Sequence, residues 1–382
     1  MLIELHTLTS HAPGNLNRDD LGRPKSAVFG GVQRARISSQ AIKRSIRTSN
    51  HLEEILRDRL STRSRQVPQL IFDDLKKELN LDDSNDSRLK TLCSSFTEMI
   101  GKPDKNPLHT KQIVFLTKNE IERAKRHIRE LLDSDNKLGK KDLEEIKANG
   151  AVAIGLNRNP GDGVDMALFG RMTTDDANSF AGVDAAMQVA HAISTHTVVP
   201  EVDWFTAVDD IVTGESETGS AHLGETEFNA ATFYKYFSCN LPLLVRNMSD
   251  DRDAAVDALA AVLDASCRVT PSGKQNSFAS HSLADSALLV VRNERVPVSL
   301  ANAFESPVSS NEKGFLTESR NRMASHYSDL REGYGFTDRT LFYATSSDAR
   351  DTMKAVLPAG TEIFTSLGAM FDRMKELARE MN

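Results

Sequence analysis

Between two strand-like segments, LIELHTLTS (2–10) and VDMALFGRM (164–172), the chain carries an unbroken succession of helical patterns over residues 51–150. HLEEILRDRL, PQLIFDDLKKELN, SRLKTLCSSFTEMI, TKNEIERAKRHIRELLD and KKDLEEIKA each place apolar residues at helical spacing. Charges alternate on the remaining faces, and polar breaks separate the segments. This block reads as a helical insertion or subdomain. Elsewhere strands and helices mix without a regular βα alternation, which favours an α+β fold over a doubly wound sheet. At 382 residues the chain is long enough for two structural units, or for one domain with large insertions.

The other segments follow from local chemistry. LIELHTLTS alternates apolar and polar residues and predicts a strand with one buried face. HAPGNLNRDDLGRPKSA (11–27) is turn chemistry and predicts a long loop, and AVFGG a short strand or turn. Ser38 and Ser39 are both good N-cap residues for a helix through QAIKRSIRTS, in which Ile42 and Ile46 face inward and Gln40, Lys43, Arg44 and Arg47 take the other sides. The Ala-rich GVDAAMQVAHAIS (182–194) predicts a helix, and residues 197–228 a protruding hairpin with the tip TGESETGSAHLG. A helix over 251–266, a buried strand SALLVV (286–291) and a C-terminal helix IFTSLGAMFDRMKELARE complete the chain. No apolar run is long enough to span a bilayer, no signal peptide is visible, and the three cysteines are far apart, so a reduced, cytoplasmic location is expected.

Charge is distributed unevenly. The formal net charge is -7, yet from Arg18 to Arg47 eight Lys/Arg face only Asp19 and Asp20, a local +6; from Met172 to Tyr234 there is no Lys or Arg against eleven Asp/Glu. One end of the chain is built to meet anions and the middle is not.

Motifs for other chemistries fail on spacing. His191 and His196 are five apart, not the four that a helical zinc pair needs. DSDNKLGKKDLE (133–144) has Asp133, Asp135 and Glu144 at calcium-loop positions, but Leu138 stands where that loop turns on Gly. FGGVQR lacks the spacing and the Lys-Ser/Thr of a nucleotide phosphate loop, and Asp209-Asp210 reads as a solvated pair. No nucleophile–base–orienter set is legible, so no cofactor, metal or enzymatic activity is expected.

The basic stretch FGGVQRARISSQAIKRSIR (29–47) makes a positive case. Arg34, Arg36, Lys43, Arg44 and Arg47 have no local acids. They sit beside Gly30–Gly31, where missing side chains let backbone N–H groups approach a ligand, and beside the Ser38/Ser39 helix start, whose dipole and amides favour phosphate. Arg18, Arg23 and Lys25 add a second rank. Point charges along a track, with amides and hydroxyls to position them, are what a nucleic-acid backbone requires. Trp204 and Phe205 in the hairpin, and Met172 at a strand end, are candidate stacking groups for bases.

LNRDD, FGG…R…RISSQAIKR, GRM, AHAISTH…DWFTAVDD, GSAHLG and LANAFE, in this order to about residue 305, closely resemble the type I-E CRISPR Cascade backbone subunit, the CasC family. The resemblance is weak over 51–150 and the last 70 residues. It implies a modified RRM (ferredoxin-like) palm at 1–50, 161–196 and 229–382, a helical fingers insertion at 51–160 and a β-hairpin thumb at 197–228. It further implies a non-catalytic subunit whose copies stack head-to-tail along the CRISPR guide RNA. Each thumb folds over a kinked nucleotide, and the bases between kinks pair with the target DNA strand. Further copies of the chain, other Cascade subunits and a separate helicase-nuclease are the implied partners.

Carried over by position, Arg18, Lys25, Ser38, Gln40, Lys43 and Arg47 match palm residues that hold the guide backbone. Met172 matches a position beside the displaced base, Trp204, Phe205 and Leu223 match thumb positions, and Lys274 in PSGKQNSF (271–278) lies in an RNA-facing loop. Lys137, Lys140 and Lys141 fit a finger patch near target DNA. Two alternatives remain. A CRISPR RNA-processing endonuclease of RRM type would need a general acid/base set near the scissile 2′-hydroxyl. A helix-turn-helix regulator would use 39–47 as its recognition helix and bind duplex DNA.

Overall fold

The computed structural model describes residues 1–81, 83–133, 144, 150–172, 181–207, 222–312 and 314–380. They divide into two compact units, one of Met1–Leu52, Gln188–Asn240 and Ala260–Asn382, the other of Glu53–Met187 and Leu241–Leu259. The strands are β1 (Leu2–Gly14), β2 (Ser26–Phe29), β3 (Val32–Ile37), β4 (Thr62–Ser64), β5 (Val114–Leu116), β6 (Met187–Val189), β7 (Ala192–Ser194), β8 (Glu201–Ala207), β9 (His222–Asn240), β10 (Ser286–Arg292), β11 (Arg339–Ala344) and β12 (Glu362–Phe364).

The first unit is built on a mixed sheet of order β12-β11-β10-β1-β9-β7-β3-β2, with β6 and β8 also pairing with β9. Only the β11–β12 pair is parallel among these neighbours. The central strand β1 is buried on both faces, not on one as its alternation predicts. One face joins Leu8, Tyr234, Leu288 and Phe342 in a core with Met323, Tyr327 and Met353 from the helices Leu316–Tyr334 and Ser347–Val356. On the other face Leu5, Phe237, Leu289 and Leu341 lie in one cross-strand row and are fully buried.

The polar positions of β1 are therefore enclosed; Glu4, His6 and Ser10 are hydrogen-bonded, whereas the Thr7 and Thr9 hydroxyls and the His11 ring have no hydrogen-bond partner among the described residues. Glu4 accepts from the Tyr236 hydroxyl and, at 2.8 Å, from Val298 N, with Arg292 Nη2 3.4 Å away. Arg292 Nη2 also donates to Asp338 at 3.0 Å.

Four expectations give way here. Residues 182–194 form an isolated bridge at Val183 and the strands β6 and β7; pairing of β7 with β3 and β9 outweighs the helix preference of alanine. VDMALFGRM folds as a helix over Val164–Phe169, not as a strand. The predicted loop 11–27 is shorter, since β1 continues to Gly14 and β2 starts at Ser26. The C-terminal segment divides into β12 and a helix over Leu367–Glu380.

In the second unit, the helices Val67–Leu79, Asp83–Ile100 and Lys118–Asp133 close around Ile71, Leu75, Leu92, Phe96, Ile121 and Ile128. These positions are the apolar stripes of the predicted amphipathic segments. The pair β4–β5 adds a small antiparallel sheet that the helical patterns did not announce. KKDLEEIKA lies almost wholly outside the described residues, as does most of the calcium-like loop and as do Asp209 and Asp210. Among the described residues no helix is long and apolar enough to cross a membrane.

Candidate nucleic-acid interface

The basic segment folds as a hairpin followed by a helix. Phe29 pairs with Val32, so Gly30 and Gly31 are the two loop residues, at φ +60° and +75°. A two-residue hairpin loop with both φ values positive suits the twist of the strands and demands glycine or a close substitute. The two glycines have different surroundings. A Cβ at Gly30 would stand 1.7 Å from the Glu305 carbonyl oxygen, whereas one at Gly31 would meet nothing within 4 Å. Gly30 is thus packed against the chain itself, while the space beside Gly31 is open.

The loop before β2 is ordered by its own polar groups. Asp19 Oδ1 accepts from Leu21 N and Arg23 N, each at 2.9 Å, and Lys25 N donates to Asn17 O at 2.8 Å. Asn17 Oδ1 accepts from Ser38 N at 2.8 Å, which ties the loop to the helix start, and Asn15 Nδ2 donates to Gly22 O and Glu227 O at 2.9 Å. One of the two acids in the segment thus serves the loop backbone. Arg18 is exposed, Lys25 half-buried, and Arg23 is paired with Glu227 at 3.1 Å.

Ser38 is the N-cap of the helix Ser39–Arg47, its hydroxyl accepting from Ala41 N at 3.3 Å, and Ser39 is the first helical residue, not a second cap. Ile42 and Ile46 are buried; Gln40 and Arg44 are exposed; Lys43 and Arg47, four apart on one side, are half-buried. Burial lowers the Lys43 pKa. With no acid in the first turn, the helix N-terminus keeps its positive end uncompensated by its own sequence.

Arg34 and Arg36 have opposite fates although they share a strand face. Arg34 is fully buried and donates to four carbonyls, those of Phe29, Ser194, Phe304 and Glu305, at 2.7 to 3.2 Å. It is a structural residue, and its assignment to the guide backbone is corrected. Arg36 is half-buried, with Nε donating to Ser26 O at 3.2 Å and Nη1 to His191 Nδ1 at 2.9 Å. Neither histidine considered for zinc lies on a helix. His196 is buried, with Nδ1 donating to Thr197 O at 2.9 Å and Nε2 accepting from Thr232 N at 3.2 Å, and its ring stacks on Phe315.

The hairpin β8–β9 pairs Trp204 with Glu225, Phe205 with Gly224 and Thr206 with Leu223. Trp204 and Phe205, both exposed, therefore point to opposite faces and cannot stack on one side of the same base. Gly224 was not anticipated: a Cβ there would lie 2.4 Å from the Phe205 ring, so the ring rests directly on the strand. Lys274 is exposed at φ +50°, next to Gly273, whose Cβ would stand 2.4 Å from Leu16 O; this loop packs on the base of LNRDD.

Met172 belongs to the second unit, where it is highly exposed and directly follows the buried Arg171. Arg171 is held by Glu120, and Glu120 by Thr117, in a T-x-x-E capping box that could have been read from sequence. Lys137, Lys140 and Lys141 lie outside the described residues.

The first unit therefore gathers Arg18, Lys25, Gly31, Arg36, Ser38, Ser39, Gln40, Lys43, Arg44, Arg47 and Lys274 on connected segments of hairpin, loop and helix. Its fold is shared. A chain of a CRISPR RNA-guided surveillance complex, pre-nicking, is 28% identical with a TM-score of 0.81, over 99% of this chain and 100% of that one. A chain of a second CRISPR RNA-guided surveillance complex is 25% identical with a TM-score of 0.62, over the same shares of the two chains. No curated protein matches significantly. A family model matches residues 3–370, and the chain belongs to that family, the CT1975-like proteins (Cas_CT1975).

Proposed function

We propose that the chain is the non-catalytic, guide-RNA-binding backbone subunit of a type I-E Cascade surveillance complex, working in the cytoplasm. Copies stack head-to-tail along the guide, hold its phosphates, kink it periodically and present the intervening bases to a target DNA strand. Other Cascade subunits and a recruited helicase-nuclease complete the system. The observation that carries this reading is the Ser38-capped helix with Lys43 and Arg47 on one side, joined through Asn17 to the loop bearing Arg18 and Lys25. Two elements prepared for phosphate are thereby held together.

The antiparallel order β10-β1-β9-β7, with helices in the connection from β1 to β7 and in that from β9 to β10, supports a ferredoxin-like palm. The β8–β9 hairpin is the candidate thumb, and the helices Val67–Leu79, Asp83–Ile100 and Lys118–Asp133 belong to the candidate fingers at 51–160. Full-length similarity to surveillance-complex chains supports the same assignment.

The test is binding of single-stranded RNA by the full chain across a salt series. Lys43→Gln and Arg47→Gln are expected to weaken binding equally for all spacer sequences, and each to reduce the slope of log affinity against log salt by about 0.7. Sequence-selective loss would contradict backbone reading. Specific cleavage of repeat RNA by the purified chain would overturn the non-catalytic assignment in favour of a processing endonuclease.

A further inference from the structure

Lys25, Arg36 and His191 reach one face of the sheet near its β2 edge from three adjoining segments. Arg36 N donates to Lys25 O at 2.9 Å, setting these residues opposite one another where the β2–β3 ladder ends. Arg36 pairs in turn with Ile193 on β7, and His191, two residues earlier, shares that face. The guanidinium connects the strip through its bonds to Ser26 O and His191 Nδ1.

Arginine has no acceptor, so the bond between Arg36 and His191 defines the imidazole. Nδ1 accepts, and the proton of the neutral ring sits on Nε2. Partial desolvation, and then the charges of Arg36 and Lys25, hold the His191 pKa below its usual value, so the ring stays neutral at physiological pH. The side chain is exposed, and among the described residues Nε2 makes no hydrogen bond. A neutral donor thus stands beside Arg36, with Lys25 on the far side of that guanidinium across the sheet.

We propose that His191 is a phosphate-directed donor: its Nε2–H, the remaining guanidinium protons of Arg36 and the Lys25 ammonium form a subsite for one phosphodiester of single-stranded RNA. The inference rests on the guide-RNA reading above and adds a residue to it. Arg36 acts twice, as a charge for the phosphate and as the group that fixes the His191 tautomer. His191 contributes direction without charge, which separates its signature from that of a lysine or an arginine.

The full chain and a labelled single-stranded RNA of mixed sequence test this over a salt series. His191→Phe keeps a ring but removes the donor and is expected to weaken binding roughly tenfold, with the salt slope unchanged. His191→Gln restores an N–H near the position of Nε2 and is expected to recover most of the loss. Arg36→Gln is expected both to weaken binding and to lower the slope by about 0.7. Wild-type affinity in His191→Phe overturns the subsite, and a lowered slope in that variant overturns the neutral-donor role. In either case, continued weakening by Lys43→Gln and Arg47→Gln leaves the guide-RNA reading standing. Wild-type affinity in those two variants overturns that reading instead.

Discussion

Arg171 donates through Nη1 to both carboxylate oxygens of Glu120, at 2.8 and 2.9 Å, and both side chains are almost completely shielded from water. Glu120 also accepts from Thr117 N at 2.9 Å, while Thr117 Oγ1 accepts from Glu120 N at 3.1 Å. A single carboxylate thus caps the helix Lys118–Asp133 and neutralises the residue that precedes Met172. Removing one partner leaves a buried charge uncompensated, which costs about 3–5 kcal/mol. Glu120→Gln is expected to destabilise the chain by that amount in urea unfolding. The double variant Glu120→Gln with Arg171→Met should be less destabilised than the sum of its parts; simple additivity would sink the coupling.

Gly30 and Gly31 offer a matched comparison. Both need positive φ, so alanine at either incurs about 1 kcal/mol of backbone strain. Only at Gly30 would the new methyl meet backbone, the Glu305 carbonyl, and that adds a packing cost of about 1–3 kcal/mol. Gly30→Ala is therefore expected to lower the thermal midpoint clearly more than Gly31→Ala. Equal shifts would mean that the Glu305 contact does not constrain the turn.

Arg34 is expected to behave as a core residue. Lysine in its place supplies one compact ammonium for four separated carbonyls, and unsatisfied buried groups cost about 1–3 kcal/mol. Arg34→Lys should therefore lower stability by at least about 2 kcal/mol. In the folded fraction it should leave the salt slope of RNA binding unaltered; a reduced slope would return Arg34 to the interface.

These residues also mark what can be read from a linear sequence. The Ile42/Ile46 spacing and the Ser38 cap are local signals, and the helix stands where they put it. The stripes of Val67–Leu79 and Lys118–Asp133 are equally local. Arg34 and Arg36 are locally indistinguishable, because what separates them is Ser194, Phe304 and Glu305, far along the chain. The same limit hides the burial of Glu4, whose partners Tyr236, Arg292 and Val298 lie far along the chain. In 182–194 the local signal was present but misleading: alanine favours a helix, and long-range pairing with β3 and β9 overrides it.

Lys235 gives a pH-dependent prediction. It lies on β9 opposite Thr7, and is only 3% exposed. Burial brings its pKa down to about 8, against a smaller opposing effect from the Asp285 carboxylate. The Cys267 thiol is itself pushed up to about 12 by burial, so it stays neutral through the range in which Lys235 titrates. His11, also nearby, is held down to about 3 by burial and by Lys235. In the unfolded chain the lysine titrates near 10.4. Between these pKa values the unfolded state binds more protons, so this group makes stability rise as pH increases from about 8 to about 10, by up to about 3 kcal/mol. Below pH 8 the folded chain carries the full cost of a buried ammonium. Lys235→Met, which keeps the chain length and removes the charge, is expected to raise stability at pH 7 by about that amount and to abolish this part of the pH slope. Chemical unfolding of both proteins at pH 7 and pH 9.5 makes the comparison, and a variant that is less stable at pH 7 would show that the Lys235 ammonium is compensated in the folded state.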